Sequence, residues 1–195
     1  LGNFLSYSEE TLHEYYVNSD GSHIETIIPK PSFYYFTTIT ANNKTMQRYW
    51  PHGASSGYEF LEQQNPITIL INEVTAMKNM LLNAKKITPG TMDLICGPQV
   101  TGIMSHESAG HPCEADRILG REAAQAGESF IDTDTIGKKI GSNTVTIVDD
   151  PTVEHGYGHY KYDNEGIKAR RKYLYKNGVI TEFLHNRETA TKLGI

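Results

Sequence analysis

The stretch Met104-Ser105-His106-Glu107-Ser108-Ala109-Gly110-His111 puts two imidazoles and a carboxylate within six residues. Neutral imidazole is a common ligand for zinc, and a catalytic zinc keeps three protein ligands with one position open to water. Zinc lowers the pKa of that water to ~7 and polarises a carbonyl. A neighbouring glutamate can take the water proton and pass it to a leaving amine. His106, Glu107 and His111 supply most of these parts. The competing reading is two ordinary histidines, on the surface or in the core, with no ion between them.

The spacing is one residue longer than the His-Glu-x-x-His signature of zinc peptidases. On an α-helix, residues five apart lie ~140° around the axis and ~7.5 Å along it, so the imidazoles would diverge. Either the helix ends between them or it widens into a π-type turn. Gly110 permits either, and Pro112 disfavours the α conformation at His111. The expectation is a helix that ends or deforms at Ala109–Gly110 and swings His111 back toward His106.

Other reactive side chains are weighed against plainer roles. Cys113 follows two residues after His111 and reads as a small semi-buried thiol rather than a third ligand. Glu114 and Asp116 are candidates to orient the histidines from behind, or are charges at a helix start. His155 and His159 sit four apart around Gly-Tyr-Gly, either as solvated loop residues or near substrate. Cys96 is expected in the core of a buried strand. Asp149-Asp150 before Pro151 reads as turn chemistry, and Arg170, Arg171 and Lys172 as a solvated strand edge.

The elements that must carry these residues follow from pattern. The first third reads as hairpins, one turning at Asp20-Gly21 and one at Asn42-Asn43. Asn65 caps a long packing helix with Pro66 in its first turn and Lys85 and Lys86 near its end. Its apolar positions are Ile67, Leu70, Ile71, Val74, Met77, Leu81 and Leu82. "TMDLICGPQ" reads as a short buried strand, and a helix follows from about Val100 to Gly110. "CEADRILGREAAQAGESF" continues as another helix and then loosens, and "SNTVTIVDD" is a strand. "PTVEHGYGHYKYDNEG" reads as a Gly- and Tyr-rich connection. "ARRKYLYKNGVITEFLH" is the clearest hairpin, with Asn177-Gly178 as a type I′ turn and Tyr175 opposite Ile180. A short helix closes the chain. The fold class is α+β: mainly antiparallel hairpins, a long packing helix and a helix carrying the metal motif.

The 195 residues, 38% of them hydrophobic, carry a net charge of −5 with both signs scattered. That suits a globular chain able to bury a core, and no basic block points to nucleic acid. No apolar run approaches the ~18 residues of a membrane helix, and no signal peptide pattern opens the chain. Two cysteines make a reducing cytoplasm the default.

"SHESAGHPCEADRILGRE" resembles the metal motif of the TldD/PmbA family of metallopeptidases. "IVDDPTVEHGYGHYKYDNEG", "LYKNGVITEFLHNRETATKLG" and "VNSDGSHIE" are similar to further stretches of that family. The resemblance implies a cytoplasmic, metal-dependent peptidase acting on unfolded or small peptides. It implies a homodimer, or a heterodimer with a paralogous subunit. His106 and His111 would then hold one divalent metal, zinc by ligand type, although imidazole also suits iron, copper and nickel. Glu107 would be the general base. The family's third ligand is a cysteine far downstream, with no counterpart here, so an internal fragment of a longer protein is expected. Its divisions would be 1–62, a β-hairpin region, and 63–195, the metal-motif region. The alternative is a non-catalytic partner or structural domain with an incomplete site.

Overall fold

The computed structural model describes residues 1–122 and 128–195. The chain forms two compact units: residues 1–91 with 153–160, and residues 92–152 with 161–195. Both are built on antiparallel sheets with helices, an α+β fold. Among the described residues no helix is long and apolar enough to cross a membrane.

The first unit is a three-stranded meander of β1 (Gly2–Val17), β2 (His23–Ala41) and β3 (Lys44–Gly53). Its two turns differ. Val17 pairs with His23, so the first turn spans five residues, which the Asn18 side chain ties by accepting the N–H groups of Asp20 and Ser22. Ala41 pairs with Lys44, and Asn42 and Asn43 both have positive φ, as a two-residue I′ turn requires. Alternate residues of β2, namely Pro31, Phe33, Tyr35, Thr37 and Ile39, are buried on one face.

Two helices follow, α1 (Glu59–Gln64) and α2 (Pro66–Asn83). Asn65, at φ 47°, ends the first and caps the second by accepting the Thr68 N–H. Only a narrow stripe of α2 packs: Met77 and Leu81 are buried against Ile39 of β2, at about 1.5–3 kcal/mol each. Ile67 and Ile71, expected on the packing face, are exposed. Lys85 and Lys86 fall beyond the helix, because Ala84 already turns to an extended conformation.

The second unit runs through α3 (Pro98–Ser105), a π turn (His106–Gly110), a 3-10 turn (His111–Cys113) and α4 (Ala115–Ile118). Then come β4 (Ile147–Asp149), β5 (Lys172–Lys176), β6 (Val179–Ile180) and α5 (Arg187–Leu193). β5 pairs with β4 and β6, and Tyr175 stands opposite Ile180 across an Asn177-Gly178 turn with both φ positive. Asn186 and Thr189 form a reciprocal cap on α5, and Gly194 ends it at φ 71°.

Three expectations fail in this unit. "TMDLICGPQ" is not a buried strand: Leu94 and Ile95 are exposed, Cys96 is exposed, and no strand forms there. An apolar run becomes a strand only when a neighbour takes its N–H and C=O groups, and none pairs with it among the described residues. The helix expected to continue from Cys113 and then loosen is shorter than that, a single turn that stops after Ile118 as Gly120 takes φ 68°. The part of that expectation on residues 123–127 lies outside the described residues. Arg170, Arg171 and Lys172 are not merely solvated: they pair with Glu182, Asp150 and Asp149.

Candidate metal centre

Pro98 opens α3 in the first turn, where its missing N–H costs nothing. The helix is regular as far as His106, whose N–H reaches the Gly102 carbonyl. The ladder then changes register, with the His111 N–H bonded to the His106 carbonyl, an i→i+5 bond. The wider turn brings five residues round to nearly one face. The imidazole centroids of His106 and His111 lie 4.3 Å apart, with the rings inclined at 76°.

This is the deformation the spacing demands, but two of its expected causes do not operate. His111 keeps a right-handed helical conformation, φ −57° and ψ −45°, despite Pro112. The pre-proline restriction is a preference, and the bond to His106 together with the following 3-10 turn outweighs it. Gly110 is not needed for its freedom either: its φ is −57°, and an added Cβ would meet nothing nearer than the Ser105 carbonyl at 3.9 Å.

One ligand-type atom from each of His106, Glu107 and His111 falls within 4.8 Å of the others. His106 and Glu107 are exposed and His111 is half-buried, so the group opens to solvent on one side. His111 Nδ1 lies 2.8 Å from Glu114 Oε1. An ionised carboxylate only accepts, so Nδ1 carries a proton, and in the neutral imidazole that a metal requires Nε2 keeps its lone pair. The other Glu114 oxygen accepts from Arg117 Nε, which fixes the carboxylate. Two nitrogens and an oxygen open to one side suit a divalent ion of zinc's ligand preference.

The frame behind these residues is apolar. Ala109, Cys113 and Ala115 are buried with Ile131, Leu174, Tyr175, Ile180 and Phe183. Leu184 clamps the motif's end, its N–H on the Cys113 carbonyl and its carbonyl on the Ala115 N–H, at 2.7 and 2.9 Å. Burial pushes the Cys113 thiol up to about 11, and the thiol is not among the ligand-type atoms that converge with His106, Glu107 and His111. Burial likewise raises the Tyr175 phenol to about 12, and its hydroxyl donates to the Ser108 carbonyl.

The family model described as the PmbA/TldA metallopeptidase C-terminal domain matches residues 89–195, more than half of the chain and all of this site. The chain belongs to the TldD/PmbA metallopeptidase family. A metalloprotease of Methanothermobacter thermautotrophicus is 34% identical over 98% of this TldD/PmbA chain and 40% of its own length. A protein of Saccharolobus solfataricus named a zinc metalloprotease TldD homologue is 27% identical over 97% of the chain and 41% of its own. A Thermotoga maritima structure, described as that of a modulator of a DNA gyrase, shares the fold. Its TM-score is 0.70 at 19% identity over 98% of this chain and 41% of the other. The TldD/PmbA chain thus spans about 40% of the length of the relatives it matches.

Of the residues singled out by sequence, His106, Glu107 and His111 converge and Glu114 stands behind His111. Asp116 does not join them: its carboxylate accepts the adjacent Arg117 N–H. His155 and His159 belong to the first unit, where His155 lines a cavity with Glu59, Phe60 and Gln63. Two supporting residues escaped the sequence reading. Arg117 was visible as a cation three residues after Glu114, and Tyr175, 67 residues from Ser108, had no local signal.

Proposed function

We propose that this chain carries the metal-binding part of a peptidase centre that hydrolyses unfolded or small peptides. His106 and His111 hold one divalent metal, zinc by ligand type, and Glu107 is the general base. When bound, the metal supplies Lewis acidity, polarising the scissile carbonyl and acidifying a water. The Glu107 carboxylate takes that water's proton and returns it to the leaving amine. Glu114, held by Arg117, fixes the His111 ring and its tautomer. Asp116, tied to the adjacent backbone, keeps only a local structural role. The observation that carries the reading is the convergence of three ligand-type atoms within 4.8 Å on a turn whose register departs from α where the spacing requires it.

A cytoplasmic protein, acting as a homodimer or with a paralogous subunit, completes the proposal by family resemblance. A second reading, a non-catalytic partner domain, has one observation in its favour: no further histidine or cysteine joins the cluster among the described residues. Elemental analysis of the untagged chain beside His106→Ala decides whether the centre forms. About one metal per chain, lost in the variant, is expected. With metal in place, absence of cleavage of unstructured peptides by the longer protein favours the partner reading.

A further inference from the structure

The Ser108 carbonyl lies in the middle of the motif's wide turn. The ladder leaves the α register here, the His111 N–H reaching back to the His106 carbonyl, and residue 112 is a proline with no N–H to offer the turn. A backbone carbonyl that no N–H of the ladder takes is satisfied by water or by a side-chain donor. Tyr175 provides one, its hydroxyl lying 2.9 Å from the Ser108 oxygen. Ser108 sits between His106 and His111, so this bond ties the middle of the wide turn to β5. Tyr175 is itself held firmly: it is buried beside Ala109 and Cys113 and is paired with Ile147 on one side and Ile180 on the other.

We propose that Tyr175 is a positioning residue for the metal centre, its hydroxyl bonding the Ser108 carbonyl and holding the turn that sets His106 beside His111. The use of that turn rests on the metallopeptidase reading, whereas the holding of the turn rests on backbone geometry. Phenylalanine at this position keeps the ring in its cluster and removes only the hydroxyl, which bonds the Ser108 carbonyl and also meets the Cys113 thiol.

The test reads the chain and its Tyr175→Phe variant in two ways. Hydrogen exchange is followed at the His111 amide, which bonds to His106. The Gly137 and Ile140 amides, bonded to the Ile180 and Gly178 carbonyls, serve as internal references. Zinc binding is measured by competition with a chelator, and cobalt uptake by its visible spectrum. Loss of this part-buried bond is expected to speed exchange at His111 roughly tenfold with the references unchanged. Metal binding is expected to weaken by about tenfold or more, with an altered cobalt spectrum. Exchange unchanged at His111, or accelerated equally at the references, overturns the proposal. So does faster exchange at His111 with metal affinity intact. If the unaltered chain takes up no metal, the metal measurements are made on the longer protein, and the exchange result alone decides whether Tyr175 holds the turn.

Discussion

His111 and Glu114, three residues apart, meet through Nδ1 and a carboxylate oxygen 2.8 Å away, and Arg117 occupies the other oxygen of the same carboxylate. The change to a 3-10 turn directly after His111 makes this contact possible, because i and i+3 side chains there stand one above the other. Ring orientation and tautomer are thus set before any metal arrives, leaving Nε2 as the donor atom.

Removing that support has a specific cost. Glu114→Ala is expected to weaken zinc binding about 10–100-fold while leaving the fold intact, since the side chain is partly exposed. Chelator competition measures the first effect and circular dichroism the second. Unchanged affinity would mean that the contact is incidental.

The two thiols should behave oppositely. Cys96 is exposed and Cys113 is buried, with burial holding it near 11. A disulfide reagent at pH 8 should modify one thiol per native chain and two after denaturation, with peptide mapping placing the fast one at Cys96. Rapid native labelling of Cys113 would contradict the packing of the motif's apolar side.

Asp150 makes stability depend on acid. Hydrogen bonds from Thr152 and then Arg171 pull its carboxyl from 3.8 to about 2. A depressed folded-state value stabilises the fold above the unfolded value and loses that contribution as pH falls. Urea midpoints should therefore drop between about pH 4 and pH 2. Asp150→Asn should be less stable than the parent at pH 7, with the difference shrinking across that window. A constant difference would show that the pairing with Arg171 carries no linkage.

Two glycines that look alike in sequence should diverge on substitution. Gly178 has φ +76°, and an added Cβ would come within 2.3 Å of the Gly141 carbonyl and 2.5 Å of the Ser142 carbonyl. Gly178→Ala should cost about 1–3 kcal/mol. Gly110 is right-handed with open space around it, so Gly110→Ala should be neutral or stabilising by up to about 1 kcal/mol, with metal affinity retained. Equilibrium unfolding of both variants, with a zinc titration of the second, checks the pair.

Much of this was legible in the chain alone. Asn177-Gly178 specifies its hairpin because a two-residue turn needs two positive φ values, which these residues adopt cheaply. Asn65-Pro66 specifies the start of α2 because an amide side chain caps what proline can begin. The His-Glu-x-x-x-His spacing required a break from α geometry, since five residues do not return to one face of an α-helix.

What the chain could not show is which deformation occurs and what maintains it. Pro112 marked the place but not the mechanism: His111 stays helical and Gly110 is not needed for its freedom. The partner of the Ser108 carbonyl, Tyr175, lies 67 residues away, and no local pattern encodes a contact of that separation. The same holds for "TMDLICGPQ", whose strand-like composition yields no strand, and for Ile67 and Ile71, helical in period yet exposed. Local propensity determines φ, ψ and capping, which depend on neighbours along the chain. Burial and hydrogen-bond completion depend on surfaces from distant segments, and only the tertiary structure decides where those meet.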